Sequence, residues 1–201
     1  MFDEIPATKL SRSMRSFVYG VGINDADYLT QRIVNGIRLM CPFYSRWAAM
    51  MSRCYCPIVQ AKYPTYEGCT VSSEWLTFSV FKGWMMQQDW EGNHLDKDLL
   101  VQGNKVYSSD LCLFVNQSIN LLLNDSKASR GKYPLGVSLN RLQSRFVSNV
   151  VLDGKKVRIG TFDTPKEAHE AYKKAKHKII KDVAMKQVEP LRSALLNYKI
   201  N

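Results

Sequence analysis

A mixed α+β chain is predicted, built in two parts and closing with a three-stranded antiparallel sheet packed on one helix. Three observations carry this. Stripes of large apolar residues at helical spacing occupy the middle of the chain. Three short strand-like runs follow a polar segment, the last two joined by Asp153-Gly154. A cap, a proline and an acid then start a helix that closes the group. At 201 residues the chain suits one domain or two small ones.

Met1–Leu39 has no strong periodicity and is expected as an arm, with Phe17–Asn24 a loop holding a short extended piece. Phe43–Cys54 predicts a helix: Trp47, Met50, Met51 and Cys54 recur every three or four residues, and Pro42 suits the first turn. Pro57 and Pro64 enclose an irregular stretch. From Val71 another helix is expected to about Gln88, capped by Ser72 or Ser73, with Glu74 in its first turn and Trp75, Phe78, Phe81, Trp84 and Met85 as its core stripe.

Leu95–Val101, the turn Gly103-Asn104 and Val106-Tyr107 predict a strand, a turn and a return strand. Asn116 is a cap for a helix carrying Ile119, Leu122 and Leu123. Asn124–Lys132, polar and glycine-containing, is the expected linker. Tyr133–Leu139, Arg145–Leu152 and Lys155–Gly160 predict strands. Thr164-Pro165-Lys166-Glu167 starts a helix whose small face, Ala168, Ala171, Tyr172 and Ala175, can lie close on a sheet. A last helix is expected over Val188–Leu196. The expected divisions are 1–42, an N-terminal arm or extension; 43–125, a central domain; 126–183, the sheet-and-helix module; and 184–201, the C-terminal helix.

Charge is distributed unevenly. The whole chain carries +10, but from Ser126 onward 17 Lys and Arg stand against 6 Asp and Glu. The C-terminal part therefore holds the entire excess and calls for a polyanionic partner. Arg141, Arg145, Lys155, Lys156 and Arg158 cluster on and beside the expected strands. A helix covering one sheet face leaves the other free, basic and narrow enough for a DNA major groove. No export signal and no apolar run of membrane-spanning length is read, so a cytoplasmic location is expected. Five cysteines, Cys41, Cys54, Cys56, Cys69 and Cys112, argue against a disulfide scaffold. Their Cys-x-Cys spacing is tighter than zinc knuckles use, so buried thiols rather than structural zinc are expected.

In the centre, Asp96 and Asp98 share a face if this segment is a strand, and paired acids beside a turn suit one divalent metal.

Two resemblances sharpen these expectations. Tyr133-Pro-Leu-Gly-Val-Ser, Phe146-Val-Ser-Asn-Val, Gly154-Lys-Lys-Val-Arg-Ile-Gly-Thr-Phe-Asp-Thr and Glu167-Ala-His-Glu-Ala-Tyr-Lys-Lys-Ala resemble the AP2/ERF DNA-binding domain over residues 130–183. This implies double-stranded DNA as partner, with Arg141, Arg145, Lys155 and Arg158 facing it, and Ser148 and Asn149 as weaker candidates. Trp47-x2-Met-x2-Arg-Cys, Tyr66-Glu-Gly-Cys-Thr-Val-Ser-Ser-Glu-Trp, Leu95-Asp-Lys-Asp, Gly103-Asn-Lys-Val-Tyr-Ser, Leu111-Cys-Leu-Phe and Asn120 resemble phage HNH-type (His-Me finger) endonucleases over 43–125.

That second resemblance implies a ββα core and one Mg²⁺ or Mn²⁺ ion. Asp96 would be the acid ligand, Asp110 a second ligand, and Asn120 a site residue in the helix. The family's histidine position holds Lys97, a poor base when protonated but a possible phosphate cation; His94, two residues before Asp96, is the alternative base. The expectation is a metal-dependent DNA endonuclease targeted by its C-terminal module. The alternatives are a catalytically inactive DNA-binding protein and a phage accessory protein that binds a protein partner through its N-terminal part.

Overall fold

In the computed structural model, which describes residues 2–124, 132–140, 142, 144–152 and 154–200, Trp47 and Trp75 sit at the centre of the first of two units. The units are Met1–Phe114 and Val115–Asn201. The boundary expected at 125–126 lies outside the described residues, as does most of the expected linker.

The first unit opens with α1 (Lys9–Ser13) and a hairpin of β1 (Gln31–Val34) and β2 (Ile37–Met40). Asn35 and Gly36 both take positive φ, 51° and 77°, the pair of left-handed residues a two-residue hairpin turn needs. The segment expected as an arm also supplies Ala26, Tyr28 and Cys41 to the core. Arg15 fastens it, donating to the carbonyls of Asn24, Ala26 and Tyr28 at 2.9, 2.5 and 2.8 Å.

The core helix α2 (Pro42–Tyr55) buries Trp47, Met50, Met51 and Cys54, one face of the 3.6-residue period. The Trp47 indole is buried but satisfied, its Nε1 donating to the Trp75 carbonyl at 2.7 Å. The stretch after Pro57 is not irregular throughout: α3 (Pro57–Lys62) begins on the proline, whose fixed φ suits a first turn.

The helix expected from Val71 to Gln88 is broken into three pieces. Thr70–Val71 is a strand, β3; Glu74–Leu76 is a single 3₁₀ turn; and α4 runs Phe78–Met85. The cause is non-local. Ile23 N–H donates to the Leu76 carbonyl at 2.8 Å and the Ile23 carbonyl accepts from Phe78 N–H at 2.9 Å, holding Thr77 extended. The aromatic stripe still reaches the core: the Trp75 and Trp84 rings are 4.5 Å apart and those of Trp75 and Phe81 5.0 Å apart.

The expected strand–turn–strand of 95–107 is also rearranged. β4 (His94–Asp96) pairs with β6 (Leu113–Val115), in which the unit boundary falls. β5 (Val106–Tyr107) pairs in parallel with β3, Thr70 against Val106 and Val71 against Tyr107.

The second unit begins with α5 (Gln117–Leu123), whose cap Asn116 accepts from Ser118 N–H at 2.8 Å. Its sheet has the order β7 (Val137–Asn140), β8 (Arg145–Leu152), β9 (Lys155–Phe162), antiparallel throughout. On it lies α6 (Pro165–Ala184), burying Ala168, Tyr172, Lys176, Ile180 and Ala184. Thr164 and Glu167 form a reciprocal capping box, each side chain accepting from the other's backbone N–H at 3.2 Å. Gly136 has φ 79°, and a Cβ there would overlap the Tyr172 ring, so only glycine allows this loop so close to α6. α7 (Leu191–Leu196) starts three residues later than expected and buries Leu195. No helix among the described residues is long and apolar enough to cross a membrane.

Candidate functional site

The sheet of the second unit has one covered and one free face. Strand residues alternate sides, and Ser148 and Val150 are buried against α6. Arg145, Val147, Asn149 and Val151 therefore project the other way. Cross-strand partners share a face, which adds Thr161, Arg158 and Lys156 from β9, and Ser138 and Asn140 from β7. A register shift between Ser148 and Asn149 leaves Ile159 unmatched and keeps Arg158 beside Asn149.

Three expected DNA-facing residues, Arg145, Lys156 and Arg158, are thus brought to one exposed face. Lys155 is not among them: it pairs with Leu152 on the α6 side of the ladder, at the hairpin end. Ser148 is fully buried on the covered face and is unable to reach a duplex, whereas Asn149 lies on the free one. Arg141, and Asp153 of the hairpin turn, lie outside the described residues. Two of the basic groups are oriented by neighbours. Arg145 Nε is 2.9 Å from Asp163 Oδ1, with both side chains open to solvent, and an Arg158 guanidinium N–H donates to Thr161 Oγ1.

The acid-rich segment of the first unit has a different character. β4 ends at Asp96, and Asp96 Oδ1 accepts from the N–H groups of Asp98 and Leu99 at 2.9 and 2.8 Å. Asp96 and Asp98 therefore belong to a side-chain-closed turn and not to one strand face. Burial, with the neighbouring Asp98 charge, raises the Asp96 pKa above the ordinary carboxylate value.

Lys97 does not present its ammonium to a ligand. It is 5 % exposed, and Nζ donates to Asp98 Oδ1 at 2.6 Å and to the Asn104 carbonyl at 2.9 Å. The role of phosphate cation is thereby lost to the loop. His94 is exposed at the start of β4, two residues from Asp96 and so on the same side of the strand. Asp110 is exposed and accepts from Ser109 Oγ at 3.2 Å. Asn120 is half-buried in α5 and belongs to the second unit, while Asp96, Lys97, His94 and Asp110 belong to the first.

Among the described residues no three His, Cys, Asp or Glu side chains come together to hold a metal. One oxygen of Asp96 is committed to its turn, and Asp98 is paired with Lys97. Cys41, Cys54, Cys69 and Cys112 are buried free thiols and Cys56 is half-buried. Burial pushes the Cys54 and Cys112 thiols up to about 12, which keeps them neutral.

The β1–β2 hairpin is a surface that periodicity missed. Ile33, Val34 and Ile37 are exposed at its tip, between Arg32 and Arg38. Its signal was the dipeptide Asn35-Gly36 between β-branched residues. No protein-family model, no curated protein and no solved structure matches this chain.

Proposed function

We propose that the chain binds double-stranded DNA through the free face of β7–β8–β9. The observation that carries this reading is the one-sided sheet: α6 covers Ser148 and Val150, and the opposite face holds Arg145, Lys156 and Arg158 with the hydrogen-bonding side chains of Asn149, Ser138 and Thr161. Three strands at about 4.8 Å spacing span roughly 10 Å, which suits a major groove about 12 Å wide. Arg145 and Lys156 would take phosphates; Arg158 and Asn149, adjacent across the bulge, would reach base edges. Giving up the exposed Arg145–Asp163 pair costs little, about 0–1 kcal/mol. The resemblance of 130–183 to AP2/ERF domains points the same way.

The test is an electrophoretic shift series with the full chain on a random duplex pool, at several salt concentrations. Binding that weakens steeply with salt, and weakens further in Arg158→Ala, is expected. Absence of binding at low salt sinks the reading.

Hydrolysis of the bound DNA is a second reading, favoured by one observation. Asp96 is a half-buried carboxyl of raised proton affinity, rigidly held and on the same strand side as an exposed histidine, His94. Incubation with supercoiled DNA and Mg²⁺ or Mn²⁺ tests it. Nicking or linearisation that Asp96→Asn abolishes supports it; cleavage undiminished in that variant removes it.

A further inference from the structure

The second unit contains a cavity of about 660 Å³, within the range of small-molecule sites. It exists because β7 ends early. The pairing of β7 with β8 stops at Val137–Ser148, with one more bond from Asn149 N–H to the Gly136 carbonyl at 2.8 Å; beyond that no strand among the described residues lies beside the β8 edge. The gap is walled by Ile119 and Leu122 of α5, Val150 and Leu152 of β8, and Ile179 and Lys176 of α6.

The lining is apolar apart from a few polar residues, and its charges have one sign. Lys176 and Lys156 line it, and among the described residues no aspartate or glutamate does. Lys176 is only 8 % exposed, in the middle of a helix. Its Nζ has no hydrogen-bond acceptor and no carboxylate among the described residues; its sole neighbour of note is the Tyr172 ring, 5.9 Å from Nζ to the centroid. An ammonium on an almost wholly buried side chain, bordering the cavity with no protein acceptor among the described residues, is available to an anionic group. Burial lowers its pKa, in keeping with the missing partner.

We propose that this cavity is a binding site for an amphiphile with an anionic head, a single-chain fatty carboxylate being its simplest form. The head group sits on Lys176, which gains its missing acceptor, and the chain lies along Ile119, Leu122, Val150 and Ile179. Lys156 at the hairpin contributes a second positive charge to the same opening. Arg145 and Arg158 do not line this cavity, whereas Lys156 and Asn149 border both it and the proposed DNA face; the proposal does not depend on the DNA reading.

The test is titration calorimetry of the full chain with monomeric dodecanoate, with 1-dodecanol as the uncharged analogue of equal chain length and phosphatidylglycerol vesicles as the lipid-surface arm. One equivalent of dodecanoate is expected to bind, dodecanol at least tenfold more weakly. Lys176→Met should lose at least tenfold in dodecanoate affinity and leave dodecanol unchanged. Amide shifts in the wild-type protein on adding dodecanoate should centre on Val150–Leu152 and Ile179, a readout independent of any variant's folding. No dodecanoate binding, binding to vesicles alone, equal affinity in Lys176→Met, or shifts centred elsewhere would each overturn the proposal. DNA binding measured on the same preparation reports separately on the sheet.

Discussion

Lys97 and Asn104 hold each other through their main chains. Lys97 Nζ donates to the Asn104 carbonyl at 2.9 Å, and Asn104 Nδ2 donates back to the Lys97 carbonyl at 2.7 Å. Asn104 also bonds Val106 in both senses, at 2.7 and 3.0 Å, which delivers β5 to its partner β3. Removing either side chain strands buried polar groups, at about 1–3 kcal/mol. Lys97→Met and Asn104→Ala should each destabilise the first unit by that amount. The double variant should cost clearly less than the sum, as for groups sharing one network. Urea denaturation followed by tryptophan emission checks this; simple additivity would show the two bonds to be independent.

Asp96 answers differently to alanine and to asparagine. Asparagine keeps Oδ1 as acceptor for Asp98 and Leu99 N–H, so Asp96→Asn should fold nearly as well as wild type, while Asp96→Ala should lose about 1 kcal/mol. The pH dependence follows from the raised pKa. The folded state binds this proton more readily than the unfolded chain, so the contribution is full below the unfolded carboxylate pKa and is lost as pH rises through the folded value. Relative to Asp96→Asn, wild type should therefore gain stability as pH falls into the carboxylate range. Urea midpoints across that range measure it, and a loss on acidification contradicts the assignment.

On the sheet proposed to bind DNA, position predicts rank. Arg145→Ala, Lys156→Ala and Arg158→Ala should weaken binding more than Lys155→Ala or Lys173→Ala. Lys155 lies on the covered side and Lys173 is paired with Glu170 on α6 at 2.7 Å. A base-edge contact by Arg158 would be worth about 1–3 kcal/mol of discrimination, while losing a phosphate contact lowers the salt slope by about one. With about five phosphates engaged, the log–log slope should be near −4.5. If Lys173→Ala proves the most damaging in a gel-shift series, the helix and not the sheet faces the duplex.

Ser148 provides a control. Its Oγ is buried without a partner among the described residues, so Ser148→Ala should leave DNA affinity unchanged and keep or raise stability, by up to about 1 kcal/mol. A fall in affinity with stability intact would mean that the sheet opens on binding.

Lys176 links stability to alkaline pH. Its folded pKa lies below the ordinary 10.5, so its contribution is full above that value and is lost as pH falls through the folded pKa. Lys176→Met should be more stable than wild type at neutral pH, and the gap should close toward pH 10.5. Melting temperatures of both proteins across the alkaline range decide it; a constant gap would assign the effect to packing alone.

Local signals and long-range pairings were not equally readable in the chain. Thr164, Pro165 and Glu167 specify a helix start by their own side chains, and the stripe from Trp47 to Cys54 needs only helical spacing. The break at Thr77 depends on Ile23, more than fifty residues away, and the pairing of Val106 with Thr70 is equally non-local; neither leaves a trace in a short window. Burial of Lys97 ran against the usual exposure of lysine, and its pairing required the turn made by Asp96. On the sheet, alternation alone separates Arg145 from Ser148, but the side taken by Arg158 required the bulge, which strand-like composition does not reveal.

Trp47, Trp75, Trp84 and Trp90 all lie in the first unit, and the second carries tyrosine as its largest aromatic. Indole emission is thus a private channel for the first unit, silent to events in the second. The 20-residue helix α6 dominates the helical dichroism of the second unit. Recorded together during denaturation, the two signals divide one transition into its parts: coincident curves would mean cooperative unfolding of the whole chain, and separated curves would give each unit its own stability without cutting the chain.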